Sequence, residues 1–281
     1  MSTPSQVALA QAFRQMHRSQ PALLLPNAWD AVSARLFVES GFPALATTSG
    51  GLAWSLGYAD GEGAPWPEVV AATRRIVRVV DVPVSADIES GFGGTAAAVY
   101  DNVREMIAAG VVGINIEDGD LRARGTLRPI EDAVERIRAA RRAADTAGVP
   151  IVVNARTDVF HLNIGEAGAR PAEAHRRAKA YLGAGADCIF LFGHPDLEVV
   201  AELVQSIGAP INIVGRAGMP GMAELERLGV ARVSTASGPS MAALSTVRSV
   251  ARSLFETRRF DSLTSDVKRA DLQQWFAERS S

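Results

Sequence analysis

The chain has 281 residues, 47% of them hydrophobic and 21% charged, which suits one large α/β domain with a sizeable core. Its 29 lysines and arginines against 31 aspartates and glutamates give a formal net charge of -2, which argues against a dedicated nucleic-acid binder. A single cysteine, Cys188, rules out an internal disulfide or a cysteine-rich zinc site, and a polar start with no long apolar run argues for a cytoplasmic protein with no membrane association.

In chain order, residues 4–18 are expected to form an amphipathic helix. Eight short apolar runs follow, at 23–26, 44–47, 82–86, 112–116, 150–153, 187–192, 210–214 and 231–234. They are rich in valine, isoleucine and leucine and too short for helices, as expected of strands buried on both faces. Between them, 95–109, 130–147, 171–184, 196–207 and 218–228 carry apolar residues at helical spacing, with Pro129, Pro171 and Pro195 near helix starts. This alternation predicts a (β/α)8 TIM barrel, for which about 250 residues is typical. The rival, a doubly wound open sheet, would show a glycine fingerprint after its first strand, but here that strand runs into Leu25-Pro26-Asn27-Ala28-Trp29-Asp30. No linker divides residues 1–281, so a single barrel domain is expected, with 257–281 as a C-terminal helical extension. A terminal helix at 264–279 gathers Val267, Leu272, Trp275 and Phe276 on one side, the mark of a subunit contact.

Catalytic groups of such a barrel lie at the C-terminal ends of its strands and in the loops beyond. Those positions hold Asp60, Asp87, Glu89 and Glu117, four carboxylates converging from three consecutive strands. Unpaired, they would repel, so a cation is expected among them, and an all-oxygen donor set suits Mg2+, with Mn2+ as substitute. The alternative is that some of them cap helices or pair with arginines. Arg156 is placed to anchor an anionic substrate through its guanidinium fork; the alternative is an ion pair with Glu117 or Asp158. The segment Thr48-Ser49-Gly50-Gly51 offers backbone N–H groups to a carboxylate, or is an ordinary loop.

Ser49-Gly50-Gly51 with Leu56-Gly57 and Asp60, Asp87-x-Glu89-x-Gly91-x-Gly93, Ile116-Glu117-Asp118 and Asn154-Ala155-Arg156-Thr157-Asp158 together resemble the isocitrate lyase/phosphoenolpyruvate mutase superfamily, in order and over nearly the whole chain. The resemblance implies a (β/α)8 barrel whose last helix is swapped between paired subunits, giving a homodimer or homotetramer. It implies that Asp87 contacts Mg2+ directly while Asp60, Glu89 and Glu117 hold its waters. Thr48, Ser49 and Gly50 would grip the 2-oxo-carboxylate end of a small anionic substrate, Arg156 would bind an anionic group, and Asn212 would add a polar contact. Asp60, Glu117 and Arg156 are the expected catalytic residues.

The loop after the fourth strand departs from the family pattern. Asp118-Gly119-Asp120-Leu121-Arg122-Ala123-Arg124-Gly125-Thr126-Leu127-Arg128 has neither the Lys-x-Cys-Gly-His stretch of the lyases nor the Lys-x-Asn-Ser stretch of the mutases. Its Arg122, Arg124 and Arg128 either face solvent or close over the substrate. Cys188 lies inside a predicted strand, as a structural thiol would. His194 stands at the rim as a candidate acid or base or as a cap, while Lys179 and Lys268 are badly placed for a Schiff base. Trp54, Trp66, Phe92, Phe160 and Phe192 are the aromatics expected to set the pocket's size. The expected activity is a Mg2+-dependent lyase that cleaves a C–C bond of a small 2-oxo or 2-hydroxy di- or tricarboxylate, oxaloacetate decarboxylase-like or methylisocitrate lyase-like. The alternatives are a P–C bond enzyme acting on phosphonopyruvate, and a non-catalytic keto-acid-binding protein.

Overall fold

The computed structural model of the chain describes residues 5–121, 123 and 125–277; Arg122 and Arg124, two of the loop arginines considered above, lie outside the described residues. The fold begins with α1 (Gln6–Met16), whose N-cap Ser5 accepts from the Ala8 N–H. This helix buries Phe13 over the N-terminal end of the barrel, so close to Gly113 that a Cβ there would stand 2.7 Å from the Phe13 ring.

The first barrel strand is divided. β1 (Leu23–Leu25) and β2 (Asn27–Ala28) flank Pro26, which has no N–H to give to a ladder but whose carbonyl accepts from the Ala46 N–H at 2.9 Å. After α2 (Ala31–Glu39), opened by a reciprocal Asp30–Ser33 capping box, come β3 (Leu45–Thr47), α3 (Ser49–Leu56), α4 (Trp66–Arg78) and β4 (Val84–Asp87). Then follow α5 (Ala96–Ala108), β5 (Gly113–Glu117), α6 (Ile130–Ala147), β6 (Val152–Thr157), α7 (Arg170–Gly183), β7 (Cys188–Leu191) and α8 (Leu197–Ile207). The chain finishes with β8 (Ile211–Val214), α9 (Met222–Arg227), β9 (Arg232–Ser234), α10 (Gly238–Thr257) and α11 (Arg269–Ala277).

The nine strands among the described residues are all parallel, in the order β1-β9-β8-β7-β6-β5-β4-β3-β2. Since β1 pairs with β9 and β2 with β3, the two halves of the first strand join the sheet's edges through Pro26, and the sheet is a (β/α)8 barrel. Each predicted apolar run contains a strand, but β4 and β6 continue past the apolar residues to Asp87 and Thr157. Polar side chains end the hydrophobic pattern there while the ladder continues, with Asp87 registered on Asn115 and Glu117 on Arg156. Helix α9 is shorter than predicted because Pro220 and Gly221 delay its start.

Phe276 of α11 packs against the cluster of Ala34, Ile76 and Val79, and Arg35 of α2 lies 5.7 Å over the Trp275 ring, so part of the terminal apolar side is covered by its own chain. Uncovered apolar surface runs along α10, where Ser240 is the one buried residue among those described and Val247 and Phe255 are 63% and 74% exposed, and on to Phe260 and Leu263 just beyond it. No described helix is long and apolar enough to cross a membrane.

Candidate active site

The rim beyond β3, β4, β5 and β6 carries the acids. Asp87, the last residue of β4, is held from both sides: its N–H donates to Thr47 Oγ1 at 2.9 Å, and its carboxylate accepts from the Ser49 N–H at 3.4 Å and the Glu89 N–H at 3.3 Å. Ser49 opens α3, with Thr48 as N-cap, so the predicted 48–51 segment is a helix N-terminus aimed at Asp87. Free N–H groups and the helix dipole there favour negative charge.

Asp60 lies over this turn. A Cβ at Gly50 would come 3.1 Å from its Oδ2, so a glycine lets the carboxylate approach the backbone. The loops after β3 and β4 are tied by crossed carboxylates. Glu89 accepts from the Glu62 N–H at 2.6 Å, while Glu62 accepts from Ser90 Oγ at 2.6 Å and the Phe92 N–H at 2.8 Å. Glu62, Glu89 and Phe92 all take left-handed backbone conformations to make this knot.

Arg156 on β6 is both a candidate anchor and an ion-pair partner. Nη1 meets Glu117 Oε2 at 2.8 Å, Nε and Nη2 bind Asp158 at 2.7 and 3.1 Å, and the guanidinium stacks 3.5 Å over Phe192. Those bonds use three of its five N–H donors and leave two.

Two adjoining cavities, of ≈ 360 and ≈ 160 Å³, share Ser49, Asp60, Arg156 and His161 in their walls. The outer one adds Glu89, Glu117 and Asp158 together with Gly119, Asp120, Leu121, Gly125 and Thr126 of the loop after β5. The inner one adds Thr48, Gly50, Asp87, Asn115 and Ser234. Together they suit a small polar ligand.

Burial pushes the Asp87 carboxyl above its ordinary range; Arg156 opposes this and Asp60 adds to it. Burial, then the charges of Asp87 and Asp60, raises Glu89 to about 8. Glu117 is raised well above the usual carboxylate range, chiefly by burial, against the pull of Arg156 and with repulsion from Asp158, Asp87 and Glu89. Burial works against the Arg156 cation, but Asp158 and Glu117 outweigh it and hold the guanidinium charged. Among the described residues lining these cavities Arg156 is the one guanidinium. The carboxylates therefore outnumber their counter-charges, the condition in which a divalent cation fits.

No three His, Cys, Asp or Glu side chains among the described residues close in as a direct metal cage. That is compatible with one direct carboxylate ligand and others acting through water, the coordination Mg2+ favours. A proton on Glu89 is held more tightly in the folded chain than in the unfolded one, so in chelator the contribution of this group to stability is fully present below pH about 4.5 and is lost as pH rises towards about 8. Melting temperatures over that window are expected to fall less steeply in Glu89→Gln, and added Mg2+ to restore more stability to the wild type near pH 8 than near pH 5. Parallel slopes would show that Glu89 does not titrate there.

Several other residues differ from their expected placement. Gly51 lines neither cavity: its N–H is on Thr48 Oγ1 at 3.5 Å, and a Cβ there would fall 2.9 Å from Trp29 Cβ, so it shapes the turn. Asn212 does not line either cavity. Its amide exchanges hydrogen bonds of 3.0 and 3.1 Å with Ser234 Oγ, so it supports Ser234, which does line the inner one. Arg128 is buried beneath the rim on Asp132 and Ser90 and is not a lid residue. Of the five aromatics expected to size the pocket, Phe192 lines it, joined by Phe190, while Trp66 packs on Phe92 at 5.0 Å. Cys188 is buried, and burial pushes its thiol up to about 12.

His161 was not singled out in the sequence, yet it lines both cavities, with its ring 4.9 Å from Phe192. The loop after β7 runs so close to it that a Cβ at Gly193 would fall 2.5 Å from the His161 backbone nitrogen. Its sequence signal was only a position three residues beyond Asp158 on a rim loop.

Residues 13–255 match the phosphoenolpyruvate phosphomutase family. The chain belongs to the phosphoenolpyruvate mutase/isocitrate lyase superfamily. It is 32% identical to the 2-methylisocitrate lyase of Halalkalibacterium halodurans over 74% of this chain and 67% of that one. It is 31% identical to the oxaloacetate decarboxylase of Chromohalobacter salexigens, over 82% and 79% of the two. The crystal structure of a 2,3-dimethylmalate lyase superposes with a TM-score of 0.85 at 26% identity, covering 100% of this chain and 96% of that one. The chain is an enzyme of this superfamily.

Proposed function

We propose that this enzyme is a Mg2+-dependent lyase, with Mn2+ as substitute, that cleaves a C–C bond of a small 2-oxo or 2-hydroxy dicarboxylate, and that oxaloacetate decarboxylation is the reaction its site suits best. The observation that carries this reading is the excess of carboxylate around one pair of small polar cavities, with Asp60, Asp87, Glu89 and Glu117 opposed in the described lining by Arg156. Asp87 would hold the cation, with Asp60, Glu89 and Glu117 on its waters. When bound, the ion acts as a Lewis acid that stabilises an enolate oxygen. The α3 N-terminus, through Ser49 and Gly50, receives a substrate carboxylate, and the remaining N–H donors of Arg156 bind and orient the other anionic end. Gly119, Asp120, Leu121, Gly125 and Thr126 form part of the outer wall and limit the entry of water. His161, at the junction of the cavities, is within the lining from which a proton can be returned to carbon.

Loss of CO2 needs no proton from a loop thiol before the bond breaks, which agrees with a loop that has no cysteine. A phosphonate would need more positive charge than Arg156, the one guanidinium among the described lining residues, provides. We further propose a homodimer or homotetramer built through α10, whose exposed Met241, Leu244, Val247 and Phe255 require cover. A panel of oxaloacetate, substituted malates, 2-methylisocitrate and phosphonopyruvate, assayed at fixed Mg2+ with and without EDTA, tests the activity. EDTA-sensitive release of a 2-oxo acid from a carboxylic substrate is expected, with oxaloacetate foremost. Turnover of phosphonopyruvate alone would move the enzyme to P–C chemistry.

A further inference from the structure

Beneath the acids the barrel holds a charge that the reading above does not use. Arg232 on β9 is 0% exposed and has no carboxylate within ion-pair distance among the described residues. Its Nη1 faces His17 Nε2 at 3.5 Å and its Nη2 donates to Asn115 Oδ1 at 3.2 Å. The His17 contact has a definite polarity. His17 Nδ1 bonds the Phe13 carbonyl at 2.8 Å and must donate there, so the neutral ring offers its Nε2 lone pair to the guanidinium. Burial, then Arg232, holds the His17 pKa down at about 3, so this arrangement persists across the working pH range.

The same Oδ1 of Asn115 also accepts from Asn154 Nδ2 at 2.7 Å. Two donors on one oxygen fix the amide: the oxygen points down into the barrel, and the NH2 is left for the other side. Asn115 is registered beside Asp87 and lines the inner cavity with Ser49 and Gly50. With its oxygen occupied, the NH2 is the group this side chain has left to offer in the cavity that the α3 N-terminus also lines. A buried cation with only neutral hydrogen-bond partners is costly, and the partner that joins it to the cavity wall is the oxygen of this amide, while Asp87 acts on it only through space.

We infer that Asn115 is a substrate-anchoring donor on the floor of the inner cavity, binding a carboxylate or 2-oxo oxygen of a small acid, and that Arg232 is the positioning residue that keeps its NH2 turned to the ligand. This deepens the lyase reading and rests on it for the identity of the acid, but binding can be read without turnover. Asparagine and aspartate have nearly the same shape. In Asn115→Asp one oxygen keeps the bonds from Asn154 and Arg232, while the other puts an acceptor and a negative charge where the donor was.

The test measures oxalate binding by calorimetry and oxaloacetate kinetics, both at saturating Mg2+, for the wild type, Asn115→Asp, Arg232→Met and the double variant. Asn115→Asp is expected to fold normally, to bind oxalate roughly 10–100-fold more weakly, and to raise KM more than it lowers kcat. Arg232→Met should weaken oxalate in the wild-type background but add little in the Asn115→Asp background, since its effect passes through the amide. Asn115→Asp binding oxalate as the wild type does, or a wild type that does not bind oxalate, would overturn the inference, even if Arg232→Met fails to fold. An equal loss from Arg232→Met in both backgrounds would remove the positioning role. Oxalate binding that depends on Asn115 in a protein that turns over no acid would keep this subsite and reject the lyase reading alone.

Discussion

Replacing Asp87 with alanine is expected to lower turnover by about three orders of magnitude or more and to abolish the response to Mg2+, while the fold is retained. The expectation rests on the two sides of Asp87's position. It is the acid fixed by the α3 N-terminus and by the Glu89 N–H at the end of β4, so no neighbouring carboxylate can take its place without moving the backbone. It is also a liability in the metal-free chain, because its carboxyl is raised by burial, with Asp60 adding repulsion. Its loss therefore removes a disfavoured buried charge, and the two N–H groups it releases are at a cavity wall where water can reach them. Melting temperature in chelator should be equal or higher in the variant, whereas the stabilisation by Mg2+ seen in the wild type should vanish. Turnover close to that of the wild type would show that the metal is not held here.

Replacing Arg156 with lysine is the second large effect, expected to cut kcat/KM by about 100-fold or more and to lower stability by about 1–3 kcal/mol. Lysine keeps the charge but not the fork. One ammonium cannot bridge Glu117 and Asp158, leave donors for a ligand, and lie flat on Phe192 at the same time. The variant separates the two roles that Arg156 combines. An increase in KM with little change in melting temperature would identify the donors that remain free as the important ones. A fall in melting temperature with unchanged kinetics would make Arg156 purely structural, and the anion anchor would have to be sought elsewhere on the rim.

Much of this architecture was readable along the chain. Apolar runs of four to six residues separated by helical stretches are a local pattern, and each strand but the short β2 lies on one of them. The acids were visible because chemistry at the end of a strand interrupts that pattern with a charged residue, as at Asp87, Glu89 and Glu117. The division of the first strand at Pro26 could have been anticipated from the missing N–H. The helix beginning at Ser49 was harder to see, because two glycines weaken its propensity and only burial of Gly50, Gly51, Leu52 and Ala53 holds it.

What the sequence could not assign was the partner of each polar group, since partners come from residues distant in the chain. Arg156 was readable as an anchor or as an ion-pair partner, and the register of β5 on β6, which sets Glu117 beside it, makes it both. Asn212 and Asn115 look alike as single asparagines in apolar strands. Closure of the barrel turns Asn212 onto Ser234 and leaves Asn115 with its oxygen on Arg232 and Asn154 and its NH2 towards the cavity. His161 and Arg128 exchanged expectations for the same reason: a loop packed against Gly193 brings the histidine to the cavities, while Asp132 and Ser90 draw the arginine away beneath the rim. Sequence by itself determined the barrel, its order and the acids at its rim, because these follow from local periodicity and from the charges that break it. Only the tertiary structure decided which donors and charges remain for a ligand, because a buried polar group bonds whatever the closed barrel places within reach.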